Sequence, residues 1–311
     1  MLNILVTGGA GYIGSTLVPE LLNLGHKVTV LDNFMYRQTS LNHCAIHDNF
    51  EIVRGDVRSD DLMKSLFKKA DVIFPLAALV GAPICNADPF AADSINKLAV
   101  LSMLDQISKD QIVIMPTTNS AYGSGDGDNF CTEESPLSPI SKYAIDKVKV
   151  EQELMSRENA ISLRLATVFG LSPRMRIDLL VNDFTFRAVH DGFIVLFESN
   201  FKRNYIHVRD ISRVFQHCLV NFHNMKSNVF NVGLSTANIS KLELCKKIKE
   251  QVPNFVILEE KIGSDPDQRN YVVSNSKIES TGFEPKYSIE NGVRELIKGY
   301  RMIKHTDHEN F

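Results

Sequence analysis

The stretch Asn3-Ile4-Leu5-Val6-Thr7-Gly8-Gly9-Ala10-Gly11-Tyr12-Ile13-Gly14 decides the fold of this 311-residue chain. Its first five residues are typical of a buried parallel strand, and the apolar periodicity of residues 15–24 predicts a helix after the glycines. Glycine lets such a loop turn tightly and approach a pyrophosphate, whose charge is stabilised by the helix N-terminus. Strand, glycine loop and helix in this order therefore predict a dinucleotide site.

An acidic residue after the second predicted strand indicates which dinucleotide is bound. The apolar run at 27–31 ends at Asp32, which follows the glycines by roughly the 20 residues expected of a ribose-binding acid. A carboxylate at this position accepts hydrogen bonds from the ribose hydroxyls of NAD and repels the additional phosphate of NADP. The predicted cofactor is therefore NAD.

Composition excludes several other classes of function. A net charge of -3 gives no basic surface for nucleic acid, and no segment has the pattern of a signal peptide or a membrane span. The nine histidines show no ligand spacing, and the cysteines form no Cys-x-x-Cys pair. This usage predicts a cytoplasmic protein without a metal site. The cysteines are Cys44, Cys85, Cys131, Cys218 and Cys245.

Strands and helices alternate through the first half of the chain. Predicted strands lie at 3–7, 27–31, 50–53, 70–75, 111–115 and 161–165, and predicted helices at 15–24, 61–69, 91–108 and 143–157. This alternation predicts an α/β fold, a Rossmann-type doubly wound parallel sheet with helices on both faces. The pattern becomes less regular after Gly170. We therefore predict an NAD-binding domain at 1–170 and a smaller C-terminal α/β substrate domain at 171–311, with residues 203–222 packing back on the first domain.

A tyrosine and a lysine four residues apart supply candidate chemistry. Tyr143 and Lys147 lie on one face of the last predicted helix. A free phenol has a pKa of about 10, and a nearby ammonium favours the phenolate and can bring it toward neutral pH. The same spacing also arises by chance in many helices, with the lysine simply exposed beside a half-buried tyrosine. The surrounding motifs favour the catalytic interpretation.

These motifs together resemble the extended short-chain dehydrogenase/reductase family, specifically its nucleotide-sugar epimerases and dehydratases. The resemblance covers nearly the whole chain. The motifs are Thr7-Gly8-Gly9-Ala10-Gly11-Tyr12-Ile13-Gly14, Gly55-Asp56-Val57, Leu76-Ala77-Ala78, Thr118-Asn119-Ser120-Ala121-Tyr122-Gly123, Tyr143-x-x-x-Lys147, Arg203-Asn204-Tyr205-Ile206-His207-Val208-Arg209-Asp210 and Asp265-Pro266 ahead of Arg269-Asn270-Tyr271.

The resemblance assigns roles to individual residues. It implies that Tyr143 removes a proton from a sugar hydroxyl, usually at C4, while Lys147 lowers the pKa of the tyrosine and holds the nicotinamide ribose. Thr118 would hydrogen-bond the reacting oxygen. The family often has histidine where this chain has Pro75. The implied cofactor-binding residues are Gly8, Gly11, Tyr12, Ile13, Gly14, Asp32, Asn33, Asp56, Val57, Leu76, Ala77, Ala78, Asn96, Tyr143 and Lys147.

One branch of the family is excluded by two positions. The 4,6-dehydratases carry an acid pair after the threonine, because elimination needs an additional acid and base. This chain has Asn119 and Ser120 there, and neither side chain can replace a carboxylate. Epimerisation or oxidation at C4 remains.

Arginines in the second half are candidates for the substrate's diphosphate, because a guanidinium fork suits phosphate oxygens. The resemblance favours this contact for Arg203 and Arg269. For Arg174 and Arg176 a substrate contact and a solvated loop are both open. His207 is expected to be structural. The implied substrate-binding residues are Thr118, Asn119, Ser120, Arg174, Asn182, Arg203 and Arg269.

Three hypotheses for function remain open. The first two are a nucleotide-sugar 4-dehydrogenase, which needs a co-oxidant such as the 2-oxo acid 2-oxoglutarate, and a 4-epimerase, which does not. Both use the same catalytic residues. The third is a non-catalytic NAD-binding sensor or scaffold, and the presence of both Tyr143 and Lys147 argues against it. By resemblance, helices 91–108 and 143–157 would pair two copies into a homodimer.

Overall fold

The computed structural model describes residues 1–123, 130–260 and 269–303. The Asp265-Pro266 motif lies outside these residues. The strands are β1 Asn3–Thr7, β2 Lys27–Asp32, β3 Phe50–Arg54, β4 Val72–Pro75, β5 Ile112–Thr118, β6 Phe130–Cys131, β7 Ala160–Leu165, β8 Thr167–Phe169, β9 Phe193–Phe197, β10 Lys202–His207, β11 Asn228–Val232, β12 Asn238–Ser240, β13 Val256–Glu260 and β14 Val272–Val273. The α-helices are α1 Gly14–Asn23, α2 Asp60–Phe67, α3 Ala82–Ala87, α4 Pro89–Asp93, α5 Ala99–Gln106, α6 Lys142–Leu154, α7 Leu180–His190, α8 Val208–Val220, α9 Phe222–Met225, α10 Lys241–Gln251, α11 Ser276–Glu279 and α12 Ile289–Gly299.

The main sheet has seven strands in the order β11-β7-β5-β4-β1-β2-β3. All of its neighbouring pairs are parallel. After β1 the next two strands, β2 and β3, are added on one side of β1. The strand that follows them, β4, lies on the other side of β1, so the strand order reverses there. Such a reversal opens a crevice at the carboxyl ends of the strands, where open α/β sheets bind their ligands. The predicted doubly wound parallel fold is confirmed.

Both faces of this sheet are buried, as the continuous apolar strands predict. Alternation along β1 sends Ile4 and Val6 to one face, where α1 and α8 pack, and Leu5 to the other face, where α2, α5 and α6 pack. The sheet thus holds the glycine loop and the N-terminus of α6 at the same carboxyl edge.

A second hydrophobic core lies among α7, α10 and α12. Smaller sheets accompany it, a three-stranded one of order β12-β10-β8 and a parallel β9–β13 pair. The sequence predicted that residues 203–222 of the second half pack back on the first domain. In the structure α8 packs on one face of the main sheet, and β11 is a strand of that sheet. The two halves of the chain therefore interleave, and a domain division at residue 170 stays a prediction. β11 was missed because Asn228 and Asn231 interrupt its short apolar pattern.

The helix predicted at 91–108 is not one regular α-helix. It runs from α4 through a π-helical turn, Ser94–Leu98, into α5. π-Turns of this kind are frequent at functional sites. Among the described residues, none of the helices is both long and apolar enough to cross a bilayer.

Candidate active site

A cleft of about 880 Å³ opens at the carboxyl edge of the main sheet. It brings together most of the residues that the sequence singled out, although they are distant from one another in the chain. The predicted residues that line it are Gly8, Gly11, Tyr12, Ile13, Gly14, Asp32, Asn33, Asp56, Val57, Leu76, Ala77, Ala78, Thr118, Ser120, Tyr143, Lys147, Arg174, Arg203 and Arg269.

Glycine is sterically required at two positions of the glycine loop. Gly8 has a φ of +68°, and a Cβ on it would lie 2.6 Å from the backbone nitrogen of Ala77. A Cβ on Gly14 would lie 2.5 Å from the Cα of Gly9. Larger residues would push the loop away from the N-terminus of α1, and so the loop fits the close backbone approach that a pyrophosphate needs.

Asp32 is fixed at the end of β2 by its neighbours. Its carboxylate accepts hydrogen bonds from the backbone nitrogens of Ala10 at 3.0 Å and Phe34 at 2.8 Å, and from the Gln38 amide at 3.2 Å. Burial raises the pKa of this carboxyl, and the hydrogen bonds and the Arg174 charge oppose that rise. The carboxylate is held in the position expected of a ribose ligand.

Tyr143 and Lys147 face the cleft from the first turns of α6. Ser141 caps this helix by accepting a hydrogen bond from the backbone nitrogen of Ala144 at 3.2 Å. The Lys147 ammonium lies 6.0 Å from the centroid of the Tyr143 ring and donates weakly to the Pro116 carbonyl at 3.5 Å. Removal from water lowers the pKa of Lys147 to about 8.

The electrostatics of Tyr143 differ from the simple pairing suggested by the spacing. Desolvation raises the pKa of its phenol to about 12, and the Cys85 thiol adds to this rise. Arg176 and Arg269 act in the opposite direction and lower this pKa. The charges that lower the pKa of Tyr143 thus come from two arginines, and the lowering by Lys147 stays a prediction.

Thr118 and Ser120 form a hydroxyl pair at the end of β5. The Thr118 hydroxyl donates to Ser120 Oγ at 3.0 Å, and accepts from the Ser120 backbone nitrogen at 3.1 Å. The Arg269 guanidinium also donates to Ser120 Oγ. Arg269 therefore reaches the predicted reaction centre in this structure, and its contact with a diphosphate stays a prediction.

Asn96 lies behind the cleft, in the π-turn. Its side chain accepts from the Leu79 backbone nitrogen and donates to the Leu79 carbonyl, both at 2.8 Å. It thus fixes the backbone that follows β4, and the cofactor contact that the resemblance implies stays a prediction.

Two predicted substrate residues do not line the cleft. Asn182 is fully buried and bonds the Gly170 nitrogen, the Tyr12 hydroxyl and the Arg176 carbonyl, so its amide is used in holding the fold. The Asn119 side chain is also fully buried, and neither end of its amide meets a partner within the described residues. The substrate contacts expected of both side chains stay predictions, and neither side chain lines the cleft.

The remaining predicted basic residues have distinct surroundings. Arg203 is buried on β10 and lines the cleft. Arg176 lines it too, but pairs with Asp178 and donates to the Val80 carbonyl at 3.3 Å. His207 bonds Glu295 at 2.8 Å and accepts from the Arg209 nitrogen at 3.2 Å, which confirms its structural role.

Sequence reasoning missed Tyr36 and Cys85. The Tyr36 ring lies 4.5 Å from the Arg174 guanidinium, and Cys85 hydrogen-bonds the Leu79 carbonyl near Tyr143. Neither residue is part of a sequence motif, because its contacts are with residues that come close only in the folded protein.

The fold and the cleft define a class, an α/β dinucleotide-binding protein with a tyrosine–lysine pair beside the cofactor site. The chain belongs to the NAD dependent epimerase/dehydratase family, whose model matches residues 4–233. NAD is the cofactor that the family's description names.

Similar proteins span nearly the whole chain. A low-salt glycan biosynthesis protein of Haloferax volcanii is 29% identical and covers 96% of this chain and 98% of its own length. UDP-glucuronic acid decarboxylase 1 of Arabidopsis thaliana is 26% identical over 96% of this chain and 70% of its own length. The crystal structure of a Thermotoga maritima UDP-glucose 4-epimerase with UDP-glucose is 27% identical, with a TM-score of 0.84 over 97% of this chain and 99% of that one.

Proposed function

We propose that this protein oxidises the C4 hydroxyl of a nucleotide-activated sugar, GDP-D-glycero-α-D-manno-heptose, to the 4-keto sugar. One observation carries the proposal. Tyr143, Lys147 and Thr118 share a cleft with the glycine loop and Asp32, and the two positions after Thr118 hold no carboxylate.

Each catalytic side chain has a distinct task in this proposal. Tyr143 takes the proton of the C4 hydroxyl, and Thr118 hydrogen-bonds the same oxygen. Bound NAD supplies the hydride acceptor. Lys147 is an ammonium below pH about 8, because burial lowers its pKa to that value. The charges of Arg176 and Arg269 favour the phenolate, and the Lys147 ammonium is proposed to act in the same direction.

The surroundings of Thr118 support redox chemistry without elimination. Ser120 is bonded to Thr118 and to Arg269, and the Asn119 side chain does not line the cleft. An acid and base are needed to remove water from a 4-keto sugar. The two positions where the dehydratases carry them provide neither.

Arg203 and Arg269 are the proposed diphosphate ligands. Both line the cleft, and a planar guanidinium can bind two phosphate oxygens at once. For Arg269 this contact requires its guanidinium to leave Ser120 or to bridge both groups.

Several stretches support the heptose substrate. They resemble GDP-D-glycero-α-D-manno-heptose 4-dehydrogenase, an enzyme of capsular polysaccharide biosynthesis. In such an enzyme the released ketone leaves two electrons on the cofactor, so that a co-oxidant such as 2-oxoglutarate completes the cycle by accepting them. The stretches are 75–83, 118–120, 131–137 and 165–183.

A 4-epimerase is the second candidate. It is favoured by the Thermotoga maritima relative, which is described as a UDP-glucose 4-epimerase. An epimerase returns the hydride to the opposite face of the sugar and needs no co-oxidant. The catalytic residues are the same for both reactions.

The two reactions differ in their products. Purified protein is incubated with GDP-heptose, GDP-mannose or UDP-glucose, with and without 2-oxoglutarate, and the C4 signal is followed by NMR. We expect a 4-ketone to accumulate from GDP-heptose only when 2-oxoglutarate is present. An inverted C4 alcohol formed without oxidant would establish the epimerase instead.

A further inference from the structure

Residues 170–178, which we call the strap, cross the glycine loop and the start of α1. The Tyr12 hydroxyl donates to the Gly170 carbonyl at 2.6 Å, and Ser172 Oγ donates to the Tyr12 carbonyl at 2.7 Å. The backbone nitrogen of Arg174 donates to Ser15 Oγ at 3.3 Å. Three hydrogen bonds therefore fix the strap to the pyrophosphate end of the predicted dinucleotide site.

The strap continues toward the ribose end. The Arg174 guanidinium lies 4.5 Å from the centroid of the Tyr36 ring, in the loop after β2. Its charge lowers the pKa of both Asp32 and Tyr36, although desolvation raises each more strongly. These couplings place Arg174 near the carboxylate expected to hold the adenosine ribose, rather than at Thr118 and Ser120.

The loop that carries Tyr36 is held in an uncommon conformation. Phe34 and Arg37 have φ values of 55° and 53°, in the left-handed region that non-glycine residues seldom adopt. Asp32 supports this turn by accepting the Phe34 backbone hydrogen bond at 2.8 Å. Such strain persists only where surrounding contacts hold it, and the stack on Arg174 is one of these contacts.

Arg176 connects the strap to the other side of the cleft. Arg176 Nη2 donates to the Val80 carbonyl at 3.3 Å, in the segment after β4, while Arg176 is also paired with Asp178. The strap thus joins three separate segments around the cleft, which are the glycine loop, the β2 loop and the β4 loop.

We propose that the Tyr36–Arg174 stack is a latch that slows the release of bound NAD(H). The strap spans both ends of the predicted dinucleotide site, so release requires the stack to open. This inference rests on the cofactor of the proposed function but not on its sugar. Its consequence is that reduced cofactor stays in place until it is reoxidised there.

The latch is tested by the dissociation rate of NADH from the full chain, followed by fluorescence after mixing with excess NAD. A cation–π contact in a partly buried position contributes up to about 2 kcal/mol, so we expect Tyr36→Leu and Arg174→Met each to speed dissociation by about tenfold. Tyr36→Phe keeps the ring and is expected to stay within about twofold of the unsubstituted protein. The double variant should be no faster than either single one, since both remove the same contact.

Arg187→Met is the matched control. It removes an arginine that pairs with Asp183 at 2.9 Å on α7, outside the cleft, and should leave NADH dissociation unchanged. Unchanged dissociation in both latch variants overturns the proposal, as does a double variant whose acceleration is the product of the single ones. No sugar is present in this assay, so an incorrect sugar assignment leaves its result intact. A raised KM for the nucleotide sugar in Arg174→Met, with normal NADH dissociation, would show that Arg174 contacts the substrate instead of retaining the cofactor.

Discussion

At the scale of single residues, the charges that act on Tyr143 differ from those expected from the Tyr-x-x-x-Lys spacing. The lysine four residues along the helix lies 6.0 Å from the ring centroid, but the groups that lower the pKa of the phenol are Arg176 and Arg269. Both arginines come from the second half of the chain. The pKa of the Tyr143 phenol thus depends on residues from both halves of the chain.

Replacing the phenol tests its role as the base. Tyr143→Phe removes only the hydroxyl, so we expect the variant to bind NADH as before, whereas turnover falls by about a hundredfold or more. NADH titration and product NMR measure the two effects. Tyr287→Phe, in a ring that stacks on His207 at 4.8 Å, is the control. Turnover of Tyr143→Phe close to that of this control would remove the tyrosine from the mechanism.

The low pKa of Lys147 has a consequence for stability. Burial lowers the pKa of this lysine in the folded protein to about 8, from a reference value of 10.5. Between these values the unfolded chain binds more protons, so raising the pH favours the folded state. From pH 8 to pH 10 the free energy of unfolding should therefore rise by about 2 kcal/mol relative to Lys147→Met. Denaturant titrations of both proteins measure this difference, and a constant difference across that range would show that Lys147 is not desolvated.

Residue positions were predictable where they depend on local spacing. Gly8, Gly14 and Asp32 follow from one strand–loop–helix–strand unit, and the structure places them around one cleft. That Asn119 and Asn182 do not line the cleft was not predictable, because the direction of a side chain depends on partners far along the chain. The Tyr12 hydroxyl, which accepts a hydrogen bond from the Asn182 amide, lies 170 residues away along the sequence.

At the scale of elements, a buried ion pair fixes α6 to the sheet. Glu151, on α6, pairs with Arg164 of β7 at 2.5 Å and accepts hydrogen bonds from Thr117 and Ser162 at 2.8 Å and 2.6 Å. Both charged side chains are nearly inaccessible to water. Because α6 also carries Tyr143, this pair helps to hold the phenol in place relative to Thr118.

Removing one charge of this pair should be costly. Glu151→Gln leaves the Arg164 guanidinium buried without its counter-charge, so the free energy of unfolding should fall by about 3 kcal/mol. Glu153→Gln, two residues further on the exposed face of α6, should change it by less than about 0.5 kcal/mol. Urea titrations compare the two, and equal midpoints would contradict a stabilising role for the pair.

The elements themselves were predicted unevenly. Strands β1 to β5 and β7 follow from apolar runs, because strands covered on both faces contain few polar residues. The π-turn at Ser94–Leu98 was not predictable, since its sequence is compatible with an ordinary α-helix and only the contact of Asn96 with Leu79 shows its purpose. β11 was missed because its asparagines are stabilised by distant partners, such as the Tyr122 hydroxyl at 2.7 Å from Asn231.

At the scale of the whole molecule, the helix that contains the π-turn exposes apolar side chains. Phe90 is 81% exposed and Leu98 is 52% exposed. A predicted homodimer through this helix and α6 would cover them. We expect light scattering to show a dimer and Leu98→Glu to weaken it, since burying a charge in such an interface is unfavourable. Val220→Glu, at a site that is 82% exposed at the end of α8, is the control. A monomeric protein, or a Leu98→Glu variant that dimerises as tightly as the control, would contradict this prediction.

We propose that Tyr143 and NAD together perform redox chemistry at C4 of a nucleotide sugar. The most direct measurement is a single turnover of the NAD-loaded protein with GDP-heptose that carries deuterium at C4, without a co-oxidant. We predict that deuterium appears on the cofactor, as seen by mass spectrometry, and that the nicotinamide absorbance of the reduced form grows more slowly than with unlabelled substrate. Cofactor that stays unlabelled and oxidised, while C4 keeps both its deuterium and its configuration, would contradict redox chemistry at this carbon.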